Sequence, residues 1–210
     1  MFAQKKTSAD ISYIEGLFPR SLITSGRDVL GAETTVEGLS PLRIHLENGF
    51  VKELEIVENN AVSRLNLILP RLVEPHAHID KAFTWKSSPN LSGTYKGALN
   101  ANLVEHTNRT ISKVRSRANR ALDLALRNGL RAVRSHIDSF GLIGDESWEV
   151  LLEVKKEWQS LIELQLVALV PLEYWSTEIG KGLARRVSAK GGSLGGVIAP
   201  PYEQKKLRNL

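Results

Sequence analysis

The chain has 210 residues, 42% of them hydrophobic, enough for one large domain or two small ones with a packed core. It contains no cysteine, which excludes disulfides and thiolate metal sites and leaves only nitrogen and oxygen donors for any metal. The formal net charge of +5 permits a polyanionic partner but decides nothing about the fold.

No run of about 18 apolar residues occurs, and Met1–Asp10 lacks the apolar centre of a signal peptide. A soluble, cytoplasmic protein with no membrane partner is therefore expected, and the missing cysteines fit that compartment. Residues 1–10 read as a disordered leader and residues 11–66 as a small β segment. Within it Leu42, Ile44 and Leu46 alternate with Arg43, His45 and Glu47, the period-two pattern of a half-buried strand. Asn48-Gly49 is the preferred type I′ hairpin pair, because both central positions need positive φ, and Phe50–Val57 returns as the partner strand. His45 falls on the polar face and reads as solvated.

The next stretch carries the chemistry. Leu67–Leu69 is apolar and suits a buried strand, Pro70 and Pro75 bend its approach, and His76 and His78 follow one residue apart. Side chains at i and i+2 of an extended segment point the same way, so the two imidazoles can converge on one ion. They are the candidate metal ligands. Ala82–Thr107 reads as a long loop, with Phe83 and Trp85 as anchors or as stacking surfaces for a planar ligand, and His106 at the next helix start is structural.

Thr110–Asn128 has the spacing of an amphipathic helix whose other face is basic through Arg109, Lys113, Arg117 and Arg120. That stripe is read as a wet helix face. Its alternative role is phosphate contact by a non-catalytic half-barrel binding protein, although no nucleic-acid motif accompanies it, and nucleic acid is not the expected partner. Leu130–Asp138 reads as a strand with His136 and Asp138 on one face. Asp145–Leu161 follows as a helix capped by Asp145, with Trp148 and Trp158 in the core. Leu164–Val170 is a buried strand, Thr177–Lys190 a helix, Gly196–Ala199 the start of another strand, and Gln204–Leu210 the opening turns of a helix. Alternating strands and helices predict a parallel sheet over residues 67–210, with about four β/α units.

Leu69–Lys81, with its Glu74-Pro75-His76-Ala77-His78-Ile79-Asp80 run, resembles the first barrel strand of the amidohydrolase superfamily, in the cytosine deaminase branch. Val133–Asp138 is similar to that branch's second strand and Leu164–Val170 to its third. The resemblance implies the N-terminal half of a (β/α)8 TIM-type barrel preceded by a small β-sandwich segment. It implies a divalent metal, Zn or Fe, held by His76 and His78, and hydrolysis of a C–N bond in a small cyclic amidine or amide. Pyrimidine- or triazine-like substrates are implied, with Asp80, Trp85, His136 and Asp138 lining the pocket or supporting the ligands. Leu172 stands where cytosine deaminases carry a glutamine, which argues against cytosine itself. No histidine follows His136, whereas the family takes further ligands from later strands. The expectation is a truncated chain, inactive alone and holding metal weakly, with a homo-oligomer or a complementing C-terminal chain as partner.

Overall fold

The computed structural model describes residues 12–24, 29, 31–57, 65–141 and 143–198. The expected leader over residues 1–10 and the helix opening at Gln204–Leu210 lie outside them. The chain divides into two compact units, Met1–Pro70 and Arg71–Leu210.

In the first unit β1 (Ser12–Pro19), β2 (Leu39–Glu47) and β3 (Phe50–Ile56) form one antiparallel sheet in that order. The hairpin forms at the expected turn, because Asn48 (φ 52°) and Gly49 (φ 80°) supply the positive dihedrals that a type I′ turn requires. Arg43 ties the three strands together by pairing with Glu15 on β1 and Glu55 on β3. His45 bonds to Glu55 at 3.0 Å and takes no part in a metal site. Gly16 allows the 66–68 segment to run beside β1: a Cβ there would lie 2.3 Å from the Ile68 side chain. Leu17 bonds through its backbone to Asn66 and Ile68. The expected buried strand at Leu67–Leu69 is not found. Leu67 and Leu69 are about half exposed and only Leu67 makes a bridge, to Leu17.

In the second unit β4 (Leu72–Ala77), β5 (Leu130–Asp138), β6 (Glu163–Pro171) and β7 (Ser193–Val197) are parallel and ordered as in the chain, like neighbouring staves of a barrel. Helix α1 (Tyr95–Thr107) and helix α2 (Ile111–Arg127) lie between β4 and β5. Helix α3 (Gly144–Trp158) and helix α4 (Glu178–Ala189) follow β5 and β6. The core is apolar and periodic. Val114, Ala118 and Leu122 of α2 repeat every four residues and pack with Val133 and Ile137 of β5, Leu151 and Val154 of α3 and Leu164 of β6. Burial of each of the larger aliphatic side chains is worth roughly 1.5–3 kcal/mol.

Helix α1 replaces much of the expected 82–107 loop. Its Leu99, Leu103 and Val104 are exposed and Glu105 is its one buried residue, so it lacks the apolar stripe that would mark it in sequence. What marks its start is a cap: Thr94 Oγ1 accepts a hydrogen bond from the Gly97 amide at 3.1 Å. Asp145 does not cap α3. It lies in the first turn of a helix whose preceding residue, Ile143, makes no side-chain cap, and its carboxylate pairs with Arg186. Trp148 is buried and donates from Nε1 to Ser139 Oγ at 2.8 Å, whereas Trp158 is only partly buried and bonds to Asn119.

Thr177 caps α4 by accepting from the Gly180 amide at 2.9 Å. A Cβ on Gly180 would sit 1.9 Å from the Tyr174 carbonyl oxygen, a backbone atom that cannot yield cheaply. Gly180→Ala is expected to cost about 1–3 kcal/mol through this overlap. A urea midpoint equal to wild type would contradict the close approach.

Candidate metal centre

His76 lies near the C-terminal end of β4, where its amide donates to Glu74 Oε1 at 2.9 Å, and His78 stands just beyond the strand. Their ring centroids are 5.2 Å apart with planes at 75°. A ring nitrogen's lone pair lies in the ring plane, and these two planes cross, so one ion can lie in both. The His78 ring is oriented by its Nδ1, 2.8 Å from the His136 carbonyl oxygen. A carbonyl can only accept, so Nδ1 carries the proton and Nε2 of the neutral ring keeps its lone pair, the arrangement usual for a metal-ligating histidine. Burial, and then the Lys81 charge, lower the His78 pKa and favour that neutral form. This donor set of two imidazole nitrogens fits zinc or iron. Among the described residues no group of three or more His, Asp or Glu is arranged to hold an ion.

His136 comes from β5 and stacks on His76, with centroids 3.9 Å apart and planes at 17°. Burial, and then the charges of His76 and His78, lower its pKa. The segment after His78 is stitched to the same strand. Ile79 N donates to Ser135 Oγ at 3.1 Å, and the Asp138 amide donates to Asp80 Oδ2 at 3.4 Å.

Behind the histidines lies a buried ion cage. The Arg109 side chain is fully buried. Its Nη1 is 3.3 Å from Asp80 Oδ2 and 3.2 Å from Asp138 Oδ2, and its Nη2 is 2.6 Å from Glu105 Oε2. Lys81 Nζ adds a contact to Asp138 Oδ1 at 2.7 Å, and Arg117 Nη1 one to Glu105 Oε1 at 2.5 Å. Three carboxylates thus face three cations. Asp80 Oδ1 makes no hydrogen bond. Burial, then the Asp138 charge, push the Asp80 carboxyl up to about 6. For Asp138 burial opposes ionisation, but Lys81 and Arg109 hold the pKa below its ordinary value. Arg109 and Arg117 do the same for the buried Glu105.

Acid should open this cage in the metal-free protein. Glu105 and Asp138 contribute stability that is fully present above their ordinary pKa values of 4.5 and 3.8 and is lost as pH falls through the lowered ones. Asp80 acts oppositely, its contribution being present below 3.8 and lost as pH rises through about 6. The melting temperature should therefore rise as pH falls from about 6 to 4, where Asp80 takes up its proton, and turn downward below that, where Glu105 and Asp138 protonate. A flat melting temperature down to pH 2 would contradict the cage.

The basic stripe is corrected here. Arg109 and Arg117 point into the cage rather than to solvent, Lys113 Nζ bonds to the Asn108 carbonyl at 2.9 Å, and the Arg120 guanidinium sits 4.0 Å over the Phe83 ring. Arg109 and Arg117 are thus neutralised inward, while Lys113 and Arg120 keep their charge on the exposed side of the helix. Phe83 holds a positive φ of 61°. Trp85 is 63% exposed and lines a shallow cleft of about 360 Å³ with Lys81, Phe83, Asn90 and Asn102. His106 lies at the end of α1 rather than at a helix start, face to face with Phe140.

No family model matches the chain. Over 171 residues it is 32% identical to a pterin deaminase of Rhizobium rhizogenes, an alignment covering 77% of this chain and 39% of that protein. Over 160 residues it is 26% identical to an N-isopropylammelide isopropyl amidohydrolase of Pseudomonas sp. (strain ADP), covering 72% and 39%. The chain belongs to the amidohydrolase superfamily. Among solved structures, the 5-methylcytosine deaminase from Klebsiella pneumoniae liganded with 5-fluorocytosine matches with a TM-score of 0.60 at 26% identity, covering 75% of this chain and 40% of that one. The N-isopropylammelide isopropylaminohydrolase from Burkholderia multivorans shares the fold, with a TM-score of 0.54 at 21% identity over 74% and 41%. The parallel sheet of this amidohydrolase chain therefore matches part of a barrel, and the chain spans about two-fifths of the length of these relatives.

Sequence reasoning missed Arg109 and Glu105 as the centre of the cage. The i, i+4 spacing of Glu105 and Arg109 was the available signal, and it becomes visible only once α1 is known to be a helix.

Proposed function

We propose that this chain forms the N-terminal part of a hydrolytic deaminase, in which His76 and His78 are two ligands of a divalent metal and the substrate is a planar nitrogen heterocycle. The observation that carries the reading is the anchored His78 ring whose plane crosses that of His76. The names of the relatives support the substrate class, since they act on pterin, methylcytosine and N-isopropylammelide. Pterin and triazine rings are favoured over cytosine, because Leu172 leaves an apolar side chain where a pyrimidine-reading amide would stand. When bound, zinc or iron supplies a water whose pKa is lowered, to about 7 for zinc, for attack on a C–N carbon.

The chain's own residues do the rest. His76 and His78 hold the ion, Asp80 and Asp138 fix the end of β4 against β5, and Trp85 offers an exposed aromatic face in the cleft it shares with Lys81. We read the three-stranded sheet of the first unit as part of a small β-sandwich segment, which its antiparallel order supports. Catalytic metals usually keep about three protein ligands, so the two imidazoles need donors from beyond this pair.

Ammonia release from pterins, aminotriazines and aminopyrimidines tests the reading. The 210-residue chain alone should give none, and turnover should appear when the C-terminal part of the pterin deaminase is co-expressed with it. Turnover that survives His76→Ala with His78→Ala would remove the assignment, and turnover by the chain alone would show that it assembles a complete site by itself.

A further inference from the structure

We propose that His136 is a positioning residue for both candidate ligands, holding His78 through its backbone carbonyl and His76 through the face of its ring; this rests on the metal-centre reading above. The two contacts are independent. The carbonyl oxygen lies 2.8 Å from His78 Nδ1, and the ring lies 3.9 Å from that of His76 at 17°.

The stack also says what His136 does not do. Nearly parallel rings carry their lone pairs in planes that do not meet near the site, so His136 and His76 cannot direct nitrogens at one ion. His76 and His78, at 75°, can. His76 needs such a support, because it is exposed at a strand end and its imidazole would otherwise sample several rotamers.

His136 is well placed to give it. It sits inside the sheet, paired in register with Val167 of β6; its Nδ1 is buried without a hydrogen bond, and the backbone of Ala77, next to His76, bonds to the ring. β7 passes nearby at a glycine: a Cβ on Gly195 would meet Val167 Cγ1 at 2.7 Å and lie 3.7 Å from His136 Cδ2.

Two substitutions separate the face of the ring from its nitrogens. His136→Phe keeps the aromatic face and the backbone carbonyl, while His136→Ala keeps only the carbonyl. The readouts are Co²⁺ titration of the 210-residue chain and, in metal-free protein, the NMR signals of the His76 and His78 rings. The alanine variant should bind Co²⁺ about 10–100-fold more weakly, and its His76 ring signals should move toward those of free histidine while those of His78 hold. The phenylalanine variant should remain close to wild type in affinity.

If His136→Phe loses as much as His136→Ala, a nitrogen of His136 is the functional group and the proposal fails. It fails equally if His136→Ala leaves both affinity and the His76 signals unchanged. Wild-type protein that binds no Co²⁺ would sink the metal-centre reading instead, and the metal-free NMR comparison would still decide whether His136 orders His76.

Discussion

Arg109→Met should destabilise the Arg71–Leu210 unit by about 3–5 kcal/mol, the usual cost of removing one partner from a buried ion pair. The guanidinium is fully buried and touches Asp80, Asp138 and Glu105 at once. Methionine fills much of the volume but leaves three carboxylates facing only Lys81 and Arg117. Domains of this size are stable by about 5–15 kcal/mol, so the variant should sit near the edge of folding. Arg109→Lys should recover only part of the loss, because a single ammonium cannot reproduce a planar fork with several donors. Chemical denaturation measures both, and a loss below about 1 kcal/mol for Arg109→Met would place the cage among weak surface-like pairs.

His76→Ala with His78→Ala should abolish divalent-metal binding without unfolding the chain. Four-ligand structural zinc sites are worth about 10–16 kcal/mol, or roughly 3 kcal/mol per ligand, so loss of both imidazoles should weaken Zn²⁺ binding by at least about 10³-fold. The fold should survive, because His76 is exposed and His78 only half-buried, and neither is part of the apolar core. Competition titration with a chromophoric chelator measures the affinity and circular dichroism the fold. Undiminished Zn²⁺ binding by the double variant would show that the ion is held elsewhere.

Local pattern made several features legible. The i, i+2 histidines lie together at the end of β4, Asn48-Gly49 turns the hairpin, and β5 runs over the Leu130–Asp138 span read as a strand. The four-residue spacing of Val114, Ala118 and Leu122 marks the buried side of α2. Other features were legible only as types. Leu67–Leu69 looked like a buried strand, but Pro70 separates it from β4 and its leucines remain exposed. The residues of α1 offered no apolar stripe because the helix is held by its Thr94 cap and its buried Glu105 rather than by an apolar face.

By itself the sequence determined the alternation of strands and helices, the donor chemistry available to a metal and the pairing of His76 with His78, because each depends on spacings of a few residues that backbone geometry converts directly into direction. Only the tertiary structure decided that Arg109 and Arg117 turn inward, that Asp80 and Asp138 share one guanidinium, and that His136 lies flat on His76. Arg109 is 29 residues from each of the two aspartates it joins. Which charges meet across such distances is set by the packing of β4, β5 and α2, and a buried charge must take the partner that packing brings to it, since leaving it alone costs more than any local preference can supply.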